Sequence, residues 1–201
     1  MLATRYLFLT RHGEADSTGN LTEAGRRQAV LLGRRLRDIP VTSIHHGPLP
    51  RAAQTAALMA TQLPPVPVQA DRAADDFVPY TPTREELPET TGALLHALAR
   101  KLPLPNEELA AEAERRYTGP IPGTEPRYEV LVTHNYLTGW LIRAAQDAPK
   151  WRWLTYNHAN TALTVIQYSP GRPAALLTYN DLSHLPAELR WTGFPPDFYV
   201  P

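Results

Sequence analysis

Short apolar runs alternate with stretches of helical spacing along most of the chain, and this alternation limits the fold more than any other feature. Tyr6–Thr10 is an apolar run too brief for a helix and reads as a buried strand. From Thr22, "TEAGRRQAVLLGRRLRD" places small or apolar residues at Gly25, Ala29, Leu32 and Leu36, which is the spacing of one helix face. Pro40 ends that helix and "VTSIHH" comes next as a second strand. Pro50 opens a helix over "RAAQTAALMA", since proline is tolerated in a first turn. "VPVQA" is a third, weaker strand. Near the C-terminal end "RYEVLVT" reads as a strand, "YLTGWLIRAAQ" as a helix, and "TALTVIQY" and "AALLTYN" as strands. Strands alternating with helices predict an α/β fold, here a three-layer α/β/α sandwich with a largely parallel central sheet.

The pattern breaks between Phe77 and Arg127, where two helices are predicted, Thr91–Lys101 and Asn106–Tyr117. The second has Asn106 as a cap, acids in its first turn and Arg115 and Arg116 in its last, matching the helix dipole at both ends. This segment, about 77–127, is too small for a domain and reads as a small helical cap insertion over one edge. Residues 1–201 are therefore expected to form a single domain, long enough for a sizeable core.

Twenty basic residues balance twenty acidic ones, so neither a nucleic-acid nor a membrane-surface partner is expected. With no cysteine there is no disulfide, thiolate metal site or cysteine nucleophile. No basic stretch leads into a long apolar segment near the start, and no run approaches membrane-spanning length, so a cytoplasmic location is expected.

In open α/β sheets ligands bind outside the carboxyl ends of the strands, so the residues after each strand are the informative ones. Arg11-His12-Gly13 comes after the first, and "HHGPLPR" delivers Arg51 to a helix start after the second. Asp75 and Asp76 come after the third, and Thr133-His134-Asn135 closes "RYEVLVT". Two histidines, two arginines and an acid thus converge on one end of the sheet. These residue types suit phosphoryl chemistry. Arginine forks match phosphate oxygens, and helix N-termini add backbone donors. A neutral imidazole can attack phosphorus and split a hard hydrolysis into two easier steps. A carboxylic acid beside a dianionic phosphate holds its proton more tightly and can pass it to the leaving oxygen.

Over nearly its whole length the chain resembles the histidine phosphatase superfamily, also called phosphoglycerate-mutase-like, in its smaller branch. "LTRHGEAD" is similar to the nucleophile motif, which implies that His12 is the phosphorylated histidine and Arg11 a phosphate ligand. "LTEAGRRQAVLLGRRL" is similar to the helix next to that motif. "GPLPRAAQTA" is similar to the family's S-P-L-x-R-A-x-Q-T-A and implies a second phosphate-binding arginine at Arg51. "VLVTHN" resembles the second-histidine motif, so His134 is implied to contact the phosphoryl group. "NDLSHL" resembles the terminal signature.

Three departures stand out. Gly47-Pro48 replaces the frequent Ser-Pro, Asn135 stands after the second histidine where glycine is frequent, and aspartate replaces the usual catalytic glutamate. "DFVP" aligns Asp76 with that glutamate, so Asp76 is favoured over Asp75.

The expected activity is hydrolysis of a small phosphorylated metabolite by a metal-independent phosphomonoesterase that needs no cofactor. A phosphomutase is the near rival, and the short insertion favours hydrolysis. A catalytically weak phospho-ligand or protein-binding module is a third reading, although none of the four core residues is missing. Asn20 is a further candidate phosphate ligand. Glu14 either polarises or positions the nucleophile's loop, or is a lone exposed acid that means little. His45-His46 reads as structural, because adjacent strand residues point to opposite faces. His96, His158 and His184 likewise read as surface, core or loop-bracing residues, and Trp140, Trp151 and Trp153 as packing. Phe77, Tyr80, Arg84, Arg115, Arg116 and Tyr117 are candidates for selectivity by position. A sugar phosphate, nucleotide, phosphorylated vitamin intermediate or phosphoprotein all fit the pattern.

Overall fold

Seen in a computed structural model that describes residues 1–198, the chain runs through thirteen regular elements. These are β1 (Leu2–Ala3), β2 (Arg5–Arg11), α1 (Glu23–Leu36), β3 (Ser43–His46), α2 (Pro50–Ala60), β4 (Val68–Ala70), α3 (Gly92–Ala99), α4 (Glu107–Tyr117), β5 (Ile121–Pro122), β6 (Arg127–Thr133), α5 (Asn135–Ala145), β7 (Leu163–Tyr168) and β8 (Ala175–Asp181). Six strands form the central sheet in the order β4-β3-β6-β2-β7-β8, while β1 and β5 make a small separate pair. β4, β3, β6 and β2 are parallel, and β7 and β8 complete the sheet antiparallel.

The near-continuous apolar runs of β2 and β6 result from cover on both faces. Leu7, Leu9 and Leu131 pack with α4, α5 and Trp153, whereas Phe8, Val130 and Val132 pack with Leu32 and Leu36 of α1 and Ala52, Ala56 and Met59 of α2. Helices therefore flank the sheet on both sides, as the alternation predicts. The expected cap insertion divides in two. α4 belongs to the helical layer itself, because Leu109, Ala110, Ala113 and Tyr117 are buried in the same cluster as the β2 and β6 leucines. Asn106 caps α4 as its position predicts, accepting from the Leu109 N–H at 3.0 Å. α3 is the outlying part, with Leu94 and Leu98 exposed.

Strand order and register together bring two histidines to one place. β6 is inserted between β2 and β3, so chain segments that are distant in sequence end side by side. The β2–β6 register pairs Arg11 with Thr133, and the His12 N–H continues the ladder to the Thr133 carbonyl at 3.0 Å. His12 and His134 therefore leave the sheet as neighbours.

Candidate active site

The two imidazoles lie with ring centroids 5.0 Å apart, both buried. His12 is held in one tautomer by its partners. Its Nδ1 lies 2.7 Å from the Gly13 carbonyl oxygen, which only accepts, so Nδ1 carries the proton. Its Nε2 receives a hydrogen bond from Arg51 Nε, which only donates, at 3.1 Å. The Nε2 lone pair is thus directed at a guanidinium. His134 has no hydrogen bond at either ring nitrogen among the described residues, and Asp76 Oδ2 stands 3.6 Å from its Nδ1. A buried imidazole without partners, at the edge of a cavity, is a group kept for a ligand.

Arg51 comes from the first turn of α2, which Pro50 opens. Besides His12 it holds Asp76, with Nη2 2.7 Å from Oδ2. Arg11 ends β2, and its Nη1 donates to the carbonyl oxygens of His158, at 2.9 Å, and Gly193, at 2.5 Å. Its buried Nε has no protein partner among the described residues. Asn135 supports this anchor, since its Oδ1 accepts from the His158 N–H at 2.8 Å, fixing the peptide chain whose carbonyl holds Arg11. That is the work of the side chain at a place where glycine is frequent in the family. Gly47 answers the other departure. A Cβ there would stand 2.4 Å from the Ala74 carbonyl oxygen and 3.2 Å from His134 Nε2, so this backbone has no room for serine.

Both imidazoles are lowered to about 3, chiefly by burial, with Arg11 and Arg51 pushing in the same direction and the hydrogen bond to the Gly13 carbonyl opposing it at His12. Both rings are therefore neutral at physiological pH, as a nitrogen nucleophile requires. The same burial lowers the Arg11 guanidinium, with Asp76 acting in the opposite direction and Arg51 reinforcing the loss.

A cavity of about 240 Å³ opens over these groups. Arg11, His12, Asp76, His134 and Asn135 line it, and Arg51 is bonded to two of them. A larger cavity of about 430 Å³ beside α4 and Lys150 has none of this chemistry.

Of the two candidate acids, Asp76 reaches the cavity. Asp75 turns back, its Oδ1 accepting the Asp76 N–H at 2.8 Å. Asn20 stands apart in this structure. It does not line the cavity, because its amide donates to Thr18 Oγ1 at 2.9 Å and accepts from Gln54 Nε2 at 2.7 Å, bracing its own loop. Glu14 positions the loop: its Oε1 accepts from Thr22 Oγ1 at 2.7 Å, and Thr22 caps α1. None of Phe77, Tyr80, Arg84, Arg115, Arg116 and Tyr117 lines this cavity; Arg116 and Tyr117, for example, both engage Asp71. His45 and His46 stay local, bonded to Ser43 and to the Gly47 carbonyl. His158 is buried, with Nε2 against Thr164 Oγ1 at 2.5 Å.

Sequence reasoning missed Tyr136, Asn157, Gly193 and Pro195, which complete the lining. It also missed Asn160, whose Nδ2 holds the His12 carbonyl at 2.8 Å. Tyr136 carried a signal, two residues past His134 at the head of a helix. Gly193 and Pro195 lie beyond the last strand, where no periodicity points to a site.

Comparison with known proteins agrees with this geometry. The model of the histidine phosphatase superfamily (branch 1) matches residues 7–181. The mitochondrial serine/threonine-protein phosphatase Pgam5 of Caenorhabditis elegans is 30% identical over 195 residues, covering 92% of this chain and 65% of its own length. The human protein of that name is 28% identical over 202 residues, with 92% and 65% covered. The chain thus spans about 65% of the length of these curated relatives. Among solved structures, a phosphoglycerate mutase from Plasmodium falciparum aligns with TM-score 0.62 at 20% identity, covering 92% of this chain and 96% of its own. A phosphoserine phosphatase from Entamoeba histolytica, crystallised with phosphoserine, aligns with TM-score 0.62 at 19% identity over 90% and 99% of the two chains. At such identities these structures share the fold. Taken with the match over residues 7–181, the paired histidines at the ends of β2 and β6 place the chain in the histidine phosphatase superfamily, branch 1, to which it belongs.

Proposed function

We propose that the protein hydrolyses phosphomonoesters through a phosphohistidine on His12, without a metal ion. The observation that carries this reading is the fixed tautomer of His12. With its proton on Nδ1 and bound to the Gly13 carbonyl, Nε2 is the nitrogen left to attack. The phosphoryl group enters between Arg11, Arg51 and His134, and Arg51 exchanges its contact with Nε2 for one to a phosphate oxygen, freeing the lone pair. Nε2 attacks phosphorus, and the bond from phosphorus to the ester oxygen breaks. Asp76, released from Arg51, takes up a proton from solvent beside the dianionic phosphate and gives that proton to the ester oxygen. In the second half Asp76 takes a proton from water, the water oxygen bonds to phosphorus, and the N–P bond breaks to release orthophosphate and neutral His12. Arg11 and Arg51 supply the fixed positive charge that such a transfer needs, which is the basis for leaving out a metal.

Rapid quench with labelled substrate tests the claim. The wild-type protein is expected to yield an acid-labile, alkali-stable adduct, before and after dialysis against a chelator, and to release phosphate in step with alcohol. His12→Ala is expected to lose both adduct and turnover. An adduct persisting in the alanine variant excludes His12 as nucleophile, and phosphate reappearing on an acceptor hydroxyl favours a mutase.

A further inference from the structure

Beside the phosphate cavity lies a second hollow of about 250 Å³, and Asn135, Tyr136 and Asn157 line both. Its remaining walls are Leu98 near the end of α3, Lys101 and Leu102 just past it, and Trp153, Leu154 and Tyr156 after α5. Several polar handles of these walls are engaged elsewhere. Trp153 Nε1 donates to the Tyr80 carbonyl at 2.9 Å, the Tyr156 hydroxyl is bonded to Gln146, and Asn135 Oδ1 is taken by the His158 N–H. The Tyr136 ring meets Trp153 edge-on at 5.3 Å, which fixes the wall shared by the two hollows. The surface facing the hollow is therefore mainly hydrocarbon and ring carbon, with Lys101 as its one charged lining residue. A sugar or polyol placed here would exchange water for walls with few free hydrogen-bonding groups, which is unfavourable. An aromatic or branched apolar group would bury its surface at a gain.

We propose that this hollow receives the organic group of the substrate, so that the protein prefers small monoesters of apolar, aromatic-bearing alcohols to sugar or polyol phosphates. The inference rests on the hydrolytic reading above and deepens it. Leu98 is 48% exposed, on the outlying helix, and does not line the phosphate cavity. It is therefore the residue to change.

The test compares kcat/KM for 2-(2-naphthyl)ethyl phosphate and glycerol 3-phosphate, both with alkyl leaving groups, and for a short phosphoserine peptide. The naphthylethyl ester is expected to be favoured over glycerol phosphate on the order of tenfold or more, the scale of burying an aromatic ring. Leu98→Glu, and the milder Leu98→Gln, are expected to remove most of that preference through KM while leaving glycerol phosphate turnover unchanged. Equal rates for the two esters, a peptide faster than either, or a loss on both esters alike would each overturn the inference with the phosphatase reading intact. If none of the three is hydrolysed, the phosphatase reading itself falls, and this inference with it.

Discussion

Asp75 and Asp76 are adjacent acids with different surroundings. Asp76 faces Arg51 and His134 across the cavity, whereas Asp75 closes a local turn onto the Asp76 N–H. If Asp76 is the proton donor, Asp76→Asn should hurt alkyl phosphates most, by ~10²–10⁴-fold, because an alkoxide is a poor leaving group. An aryl phosphate leaves with little protonic help and should retain more activity. Asp75→Asn should be milder and show no leaving-group dependence, since the amide oxygen still serves the turn. Steady-state rates over a series of leaving groups give the answer, and the opposite ranking would transfer the role to Asp75. Arg11, His12, Arg51 and His134 are legible in the sequence because each comes after a strand of a parallel sheet, and that position alone directs them to one end. Motif alignment favours Asp76 over its neighbour, but only the turn conformation decides which carboxylate reaches the cavity. The setting of Asn20 is hidden for a related reason: its partner Gln54 lies on α2, and nothing local to Asn20 announces that contact.

At the scale of elements, the crossing of β3 over to α2 is tightly packed. Gly47 lies between the end of β3 and the start of α2, and its N–H donates to the Val132 carbonyl at 3.0 Å. Restoring the family's frequent serine is therefore expected to destabilise. Gly47→Ser forces a Cβ against backbone at Ala74, and overpacking of this kind costs about 1–3 kcal/mol. Because His134 is the other neighbour, catalytic rate should fall as well. Urea unfolding and kcat measured on the same preparation check both; unchanged stability would mean that the Ala74 segment moves aside without cost. Element type is readable almost throughout, because α1, α4 and α5 each carry a clear apolar face. Element role is less so. α4 reads from sequence as part of an insertion, and only its burial against β2 and β6 shows it to be half of a layer. The antiparallel direction of β7 and β8 is also hidden, since an apolar run has the same pattern in either direction.

For the whole molecule, buried neutral histidines link stability to pH. Burial lowers His12, His134 and His158 to about 3 and His184 to about 4, against an ordinary 6.5. Below that ordinary value the unfolded chain takes up protons that the native state refuses. The stabilisation is thus complete above pH 6.5 and is lost as pH falls toward the native values. Each such histidine contributes a slope of about 1.4 kcal/mol per pH unit in that window. Unfolding free energies measured from neutral pH downward should fall steeply, and His158→Gln should flatten the slope by one histidine's share whatever it does to stability at neutral pH. An unchanged slope would mean that His158 is protonated in the native state.

The family model matches as far as residue 181, yet Gly193 and Pro195 wall the cavity and the Gly193 carbonyl holds Arg11. Gly193 sits at φ +68°, and a Cβ there would stand 2.3 Å from Asn160 Oδ1 and 2.8 Å from Arg11 Nη1, so the close approach depends on its being glycine. Gln28 ties the same stretch down, donating to the Leu189 carbonyl and the Thr192 hydroxyl at 2.9 and 2.7 Å. A fragment cut at the homologous boundary would keep both histidines and both arginines and still lose one anchor of Arg11. The stretch that the family model matches and the stretch that builds the cavity therefore have different ends.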